Sequence, residues 1–269
     1  MGSATSLTFI GGGVMAEAMI RGILQQGTIP AGGITVTGPR AERRVELATR
    51  FGIRGLAGNA AAAADASVVV LAVKPQVLPA VMRELRGSLK PEQLVLSIIA
   101  GATMHALTTG LGHAAVVRAM PNTPAQVAMG VTAWYAAPAV TEEQRATTRS
   151  LLEALGEQIA VEDEHHVDMA TALSGTGPTY VFLLMEAMVD AGVHLGFSRR
   201  VAEELVLRTV EGSAMFARQS GRHLAELRNM VTSPGGTTAA GLRALEDRGV
   251  RSAFIEAIAA ATQRANELG

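Results

Sequence analysis

The sequence predicts an α/β fold class: a doubly wound parallel sheet over residues 1–162, then an all-helical domain over residues 163–269. Three features predict it. Short apolar runs alternate with helical patterns through the first part, as right-handed parallel crossovers require. A glycine turn, Gly11-Gly12-Gly13, follows the first run and opens the first helix. Near Glu162 the texture changes, and long helical patterns replace the Val-rich runs.

Taken in order, Leu7–Ile10 reads as a strand and Val14–Leu24 as a helix. Ile34–Thr37 is a second strand, and Ala41–Phe51 a helix with its charges on one side. Ser67–Val73 is typical of a strand buried on both faces, and Leu94–Ile99 is another. Ala115–Ala119 and Val131–Tyr135 are weaker strands, and Ile159–Val161 closes the sheet. The second domain reads as helices over Val167–Leu173, Thr179–Leu195, Arg199–Gln219, His223–Met230, Thr238–Asp247 and Arg251–Leu268. Ser198 and Thr237 look like helix starts, Gly196, Gly221 and the Ser174–Pro178 stretch like breaks. Val181, Leu184, Met185, Met188 and Val189 make a wide apolar face on one helix; Val206, Val210, Met215 and Phe216 make another. Roughly a hundred helical residues can hardly enclose so many apolar positions alone, so a dimer that interlocks these helices is expected.

Composition narrows the function classes. A net charge of -1 leaves no positive excess to hold a nucleic-acid backbone. The chain has no cysteine, which excludes disulfides, thiolate catalysis and cysteine-bound zinc and fits the cytoplasm. Its longest apolar run, near Val68–Val73, is far short of the roughly 20 residues of a membrane helix. No basic residue precedes Arg21, so no secretory signal is read. Met1-Gly2 with Ser6 fits a bare acylation pattern that no polybasic patch supports. His165-His166 reads as a surface pair at a helix start and not as a metal site, because adjacent helical residues point in different directions.

Two motifs carry chemistry. Gly11-Gly12-Gly13-Val14-Met15-Ala16 is G-x-G-x-x-A, placed directly after a strand and at the start of a helix. That is the Rossmann dinucleotide fingerprint: a tight turn, a close approach for pyrophosphate, and a small residue where helix meets strand. An NAD-type site sets a carboxylate at the end of the second strand. Here that point reads Thr37-Gly38-Pro39-Arg40, with Arg43 and Arg44 following. Guanidiniums hold a 2′-phosphate, so NADPH is expected, with NADH weaker. The second motif is Val231-Thr232-Ser233-Pro234-Gly235-Gly236-Thr237-Thr238, where glycines and hydroxyls meet a helix start. Free N–H groups and hydroxyls there form a cradle for a small anion.

The only lysines are Lys74 and Lys90, both in the first domain. Reducing a ketone calls for a firm proton source, whereas an imine nitrogen arrives protonated and needs only orientation. The helical domain offers His165, His166, His194, His223 and Tyr180, none in an evident acid–base setting.

With these motifs the chain resembles the pyrroline-5-carboxylate reductases. The resemblance runs along Phe9–Ala16, Ala72-Val73-Lys74-Pro75, Ser97–Gly101, Met120–Pro124, Leu173–Pro178 and Ser233–Thr238, in order. It implies reduction of 1-pyrroline-5-carboxylate to L-proline by hydride transfer to the C=N carbon, the last step of proline biosynthesis. It implies that Ile10, Gly11, Gly12, Gly13, Val14, Met15, Arg40, Asn59, Ala72, Val73, Lys74, Pro75 and Ala100 serve the cofactor, with Ala100 beside the nicotinamide. Ser233, Gly235, Gly236, Thr237 and Thr238 would bind substrate, joined by Glu164, with Thr238 facing the ring nitrogen as the catalytic hydroxyl. It also implies a homodimer, or a dimer-based oligomer such as a decamer, with each active site completed by a second subunit. Gly38 stands where the family often has Ser or Asn, which leaves 2′-phosphate contacts to Arg40. The competing readings are a reductase for another cyclic imine acid, a hydroxy-acid dehydrogenase, and a non-catalytic dinucleotide-binding module.

Overall fold

Four of the strands are built from residues buried without exception, which places them in the middle of a sheet covered on both faces. In the computed structural model, which describes residues 5–268, the strands are β1 (Leu7–Ile10), β2 (Ile34–Thr37), β3 (Arg54–Leu56), β4 (Val68–Leu71), β5 (Leu94–Ser97), β6 (Val116–Met120), β7 (Gly130–Ala136) and β8 (Gly156–Ala160). Met1 and Gly2, which carry the acylation pattern, lie outside the described residues. The eight strands form one sheet in the order β3-β2-β1-β4-β5-β6-β7-β8. The chain reverses its direction of travel at β1 and β4, the crevice where doubly wound sheets bind ligands.

One pair departs from the fully parallel expectation: β7 runs antiparallel to β6. The reason is the link between them. It holds only a 3-10 turn, Thr123–Val127, whereas a parallel return needs a crossover of about a dozen residues or more. β8 then pairs parallel with β7 after a helix.

The helices that cover this sheet are α1 (Val14–Gln26), α2 (Ala41–Phe51), α3 (Asn59–Ala63), α4 (Leu78–Leu85), α5 (Met104–Leu111) and α6 (Glu142–Glu153). α1 buries Ala16, Met19, Ile20 and Ile23 and stops at Gly27 in the left-handed conformation. α6 starts with a capping box between Thr141 and Gln144. Phe9, Val69, Leu96, Val117 and Trp134 lie in one continuous core with these helices.

Beyond β8 come α7 (His165–Ala170), α8 (Gly177–His194), α9 (Arg199–Ser220), α10 (Leu224–Met230), α11 (Thr237–Asp247) and α12 (Val250–Leu268). The expected break at Ser174–Pro178 falls at Thr176, a bend between a π-helical segment, Thr171–Gly175, and the start of α8. Thr171 Oγ1 bonds the Val167 carbonyl and Ser174 Oγ the Ala170 carbonyl, at 3.0 and 2.9 Å, so the hydroxyls support this wide turn.

The chain divides into two compact units. One runs through Thr176 and includes the chain from Ala261; the other is Gly177–Ala260. The division falls later than the change of texture at Glu162, because α7 is tied to β6 by ion pairs of Arg118 with Glu164 and Asp168. In the helical unit only Val189, Ala202 and Val206 form a buried apolar cluster. No helix among the described residues is long and apolar enough to cross a membrane.

Candidate active site

The first group of site residues gathers at the carboxyl ends of β1, β2 and β4. Gly11 has φ +108°, and a Cβ there would lie 2.5 Å from the Ala72 carbonyl oxygen. Only glycine lets β1 turn this close to the end of β4. A Cβ on Gly12 would press on Leu47 at 2.9 Å, whereas Gly13 is exposed, with nothing nearer than 4.0 Å. The turn thus packs tightly behind and is open in front. Gly13 caps α1 with no side-chain partner, so the N–H groups of the first turn face outward. A cleft of about 220 Å³ is lined here by Gly11–Gly13, Gly38, Arg40, Arg44 and Ala72–Lys74. These residues fit a pyrophosphate carried on a helix start.

The three arginines do not share one role. Arg43 Nε donates to the Gly12 carbonyl at 2.9 Å, and its other nitrogens meet Glu17 and Glu46. It is a strut behind the glycine turn, with its charge answered. Glu17 also accepts from Arg21 at 2.9 Å and Arg50 at 2.8 Å. The Arg43 hydrogen bond, followed by the charges of Arg43 and Arg50, holds the Glu17 carboxyl below the ordinary glutamate range against the opposing effect of burial. Arg44 donates to the Gly38 carbonyl. Arg40 is exposed and has no bond to another side chain among the described residues.

Other expected cofactor residues take supporting places. Ile10 is buried, and its carbonyl accepts from Ala72 N at 2.9 Å. Val14 is exposed and Met15 half-buried on α1. Asn59 opens α3; its Oδ1 accepts from Thr37 Oγ1 at 2.6 Å and its Nδ2 donates to Glu84 at 2.8 Å. Asn59 therefore fixes the end of β2. Lys74 and Pro75 are exposed beyond β4, and Ala100 is half-buried in the turn after β5.

The second group lies in the helical unit. Gly235 has φ +67°, and a Cβ on Gly236 would collide with Ser233 Oγ. Gly236 N donates to the Ser233 carbonyl at 3.1 Å, which folds Ser233 over the turn. Gly236 is the N-cap of α11 and supplies no side-chain cap. Thr237 and Thr238 are the first two helical residues. Their N–H groups, and the hydroxyls of Ser233, Thr237 and Thr238, have no partner among the described residues. Several donors thus converge on a helix start with no protein acceptor, the arrangement of an anion site.

Glu164 belongs to the sheet unit. Its Oε1 accepts from Arg118 and, at 2.6 Å, from Met104 N. Asp168 takes the other end of the same guanidinium at 2.7 Å.

Compared along their whole lengths, this chain and the pyrroline-5-carboxylate reductase of Pseudomonas aeruginosa are 45% identical, covering 99% of this chain and 97% of that one. The chain belongs to the pyrroline-5-carboxylate reductase family. The reductase of Escherichia coli is 36% identical over 97% of both chains. Residues 164–268 match the family model for pyrroline-5-carboxylate reductase dimerisation, and residues 6–101 that of the coenzyme F420-dependent NADP oxidoreductases. Among solved structures, the reductase from Coxiella burnetii has a TM-score of 0.92 at 38% identity and covers 99% of both chains. The Plasmodium falciparum reductase, with NADP bound, has a TM-score of 0.90 at 29% identity and covers 98% of both. This chain is thus an NAD(P)H-dependent oxidoreductase by family, with a dinucleotide-binding sheet and a helical dimerisation half.

Arg118 and Asp168 belong to none of the sequence motifs that point to reductase chemistry. The signal is visible afterwards: one arginine interrupts the apolar strand Val116-Val117-Arg118-Ala119-Met120, and an arginine in the middle of a sheet needs buried partners.

Proposed function

We propose that this chain reduces 1-pyrroline-5-carboxylate to L-proline with NADPH, NADH serving less well, in the cytoplasm of its cell. The observation that carries this reading is the start of α11, where unpartnered N–H groups and hydroxyls converge. The substrate carboxylate fits that cradle, and Ser233 closes over it. The Thr238 hydroxyl is set to hold the ring nitrogen. A threonine hydroxyl is too weak an acid to supply a proton at neutral pH, so its role is to orient a nitrogen that arrives protonated. When bound, NADPH supplies the hydride. The glycine turn and Ala72–Pro75 would hold its pyrophosphate and ribose side, and Arg40 its 2′-phosphate. We assign the functional division to the neighbourhood of residue 162, with residues 163–269 pairing two chains. The substrate loop of one subunit would then serve the cofactor of the other, in a dimer or in a larger assembly of dimers such as a decamer.

The test is loss of nicotinamide absorbance with pyrroline-5-carboxylate, set beside the six-membered ring analogue. Thr238→Ala is expected to lower kcat by about 10- to 100-fold, the effect of one oriented hydrogen bond. Ser233→Ala is expected mainly to raise KM. Full turnover in Thr238→Ala would remove that hydroxyl from the mechanism, and faster reduction of the larger ring would reassign the substrate.

A further inference from the structure

The least exposed charge near the sheet's carboxyl edge is Arg118, whose side chain is 3% exposed. Neither cofactor nor substrate binding, as read above, uses it. Its guanidinium joins two carboxylates, Glu164 at the N-cap of α7 and Asp168 within α7. Glu164 then reaches to a third element: its Oε1 accepts the N–H of Met104, the first residue of α5. One arginine faces two acids, and the positive end of α5 helps to offset the surplus negative charge.

What Met104 anchors matters. Between the end of β5 and the start of α5 lies the turn 98–103, which contains Ala100 and a left-handed Gly101 with φ +74°. The turn's own bonds are loose: Ile99 N to Ser97 Oγ and Ala102 N to the Ile99 carbonyl are both 3.4 Å. The ladder bond of Ile98 N to the Leu71 carbonyl, 3.1 Å, fixes its beginning. The 2.6 Å bond from Met104 to Glu164 fixes its end. In a doubly wound sheet this turn lies across the switch point from the adenosine-binding end of β2, on the nicotinamide side.

We propose that Arg118, Glu164 and Asp168 form a clasp that positions the Ala100 turn for hydride transfer, with Glu164 acting through Met104 as a positioning residue. The inference rests on the reductase reading, and wild-type turnover of pyrroline-5-carboxylate tests that reading separately and first. A buried arginine with two carboxylates locks three elements at once, and sub-ångström placement of reacting groups carries large factors in rate.

Glu164→Ala removes both bonds. Its kcat is expected to fall at least about 10-fold while KM for the substrate stays within about 2-fold. The isotope effect with deuterated NADPH should rise as the hydride step becomes limiting. In the free protein, amide exchange at residues 102–107 should quicken while that of β6 does not, and calorimetric NADPH affinity should change by less than about 3-fold. Glu164→Gln, whose amide oxygen can still accept from Met104, should restore the exchange protection and part of kcat. A KM raised about 10-fold with kcat kept would overturn the proposal in favour of direct substrate contact. Faster exchange with an unchanged isotope effect would overturn it in favour of a purely structural role. Should Glu164→Ala not fold, Asp168→Asn carries the same test: kcat lowered at constant KM supports the clasp, and an unchanged kcat ends it.

Discussion

The two units of this chain are built to different degrees of completeness. The sheet unit encloses its own core, with Phe9, Ile20, Val69, Leu96 and Trp134 nearly or wholly buried. The helical unit buries only Val189, Ala202 and Val206 as a cluster. Four consecutive residues of α8, Val181 to Leu184, are exposed by 41%, 61%, 66% and 44%. A helical turn that is apolar on every side belongs inside a protein. The sheet unit thus closes its own core, whereas the helical unit leaves its apolar face uncovered within one chain, in the part that matches the dimerisation family model.

The largest predicted effect tests this difference directly. Phe182→Asp should raise the dimer dissociation constant at least about 100-fold, since a carboxylate would be buried without a partner. Light scattering would report monomers. Turnover should collapse, yet NADPH affinity should persist, since the match to the NADP oxidoreductase model lies within residues 6–101. An intact oligomer in that variant would mean that α8 is not covered by a second chain.

A smaller effect sharpens the account of the finished site. Arg40→Ala should weaken NADPH binding by about 10- to 100-fold and leave NADH nearly unchanged, as for the loss of a charged contact to phosphate. Arg43→Ala should weaken both cofactors to a similar degree, because Arg43 props the Gly12 carbonyl. Binding titrations with both dinucleotides decide the matter; the reverse pattern would make Arg43 the phosphate reader.

The smallest effect concerns Glu17. Its carboxyl is held below the ordinary value of 4.5, first by the Arg43 hydrogen bond. A lowered folded value contributes stability that is present above the unfolded value and is lost as pH falls through the folded one. Glu17→Gln should therefore cost about 1 kcal/mol at pH 7, the size of a partly screened ion-pair network. Melting temperatures of variant and wild type should converge as pH falls below about 4. A constant gap across that range would show that the charge is not what stabilises the turn.

Much of this was legible in the residues. Val68–Leu71 announced itself because a strand covered on both faces has no polar alternation to obscure it. The glycine turn was equally plain, since its spacing follows from one steric demand. β3 was missed because Arg54, Gly55 and Leu56 are all exposed on an edge strand and carry no pattern. The antiparallel β7 depended on the shortness of one loop. The Arg118–Glu164 pair joins residues 46 apart in sequence, and no local periodicity marks such a contact. Likewise, the three arginines after β2 looked equivalent until Glu17, from another helix, took Arg43 out of the set.

The chain contains a single tryptophan, and Trp134 is buried in β7 with its indole N–H bonded to Gln158 at 2.6 Å. Its emission therefore reports on the sheet alone. Far-ultraviolet ellipticity, by contrast, is weighted towards the long helices. The unlabelled protein carries two optical gauges, and a denaturation experiment that records both can time the loss of one half against the other.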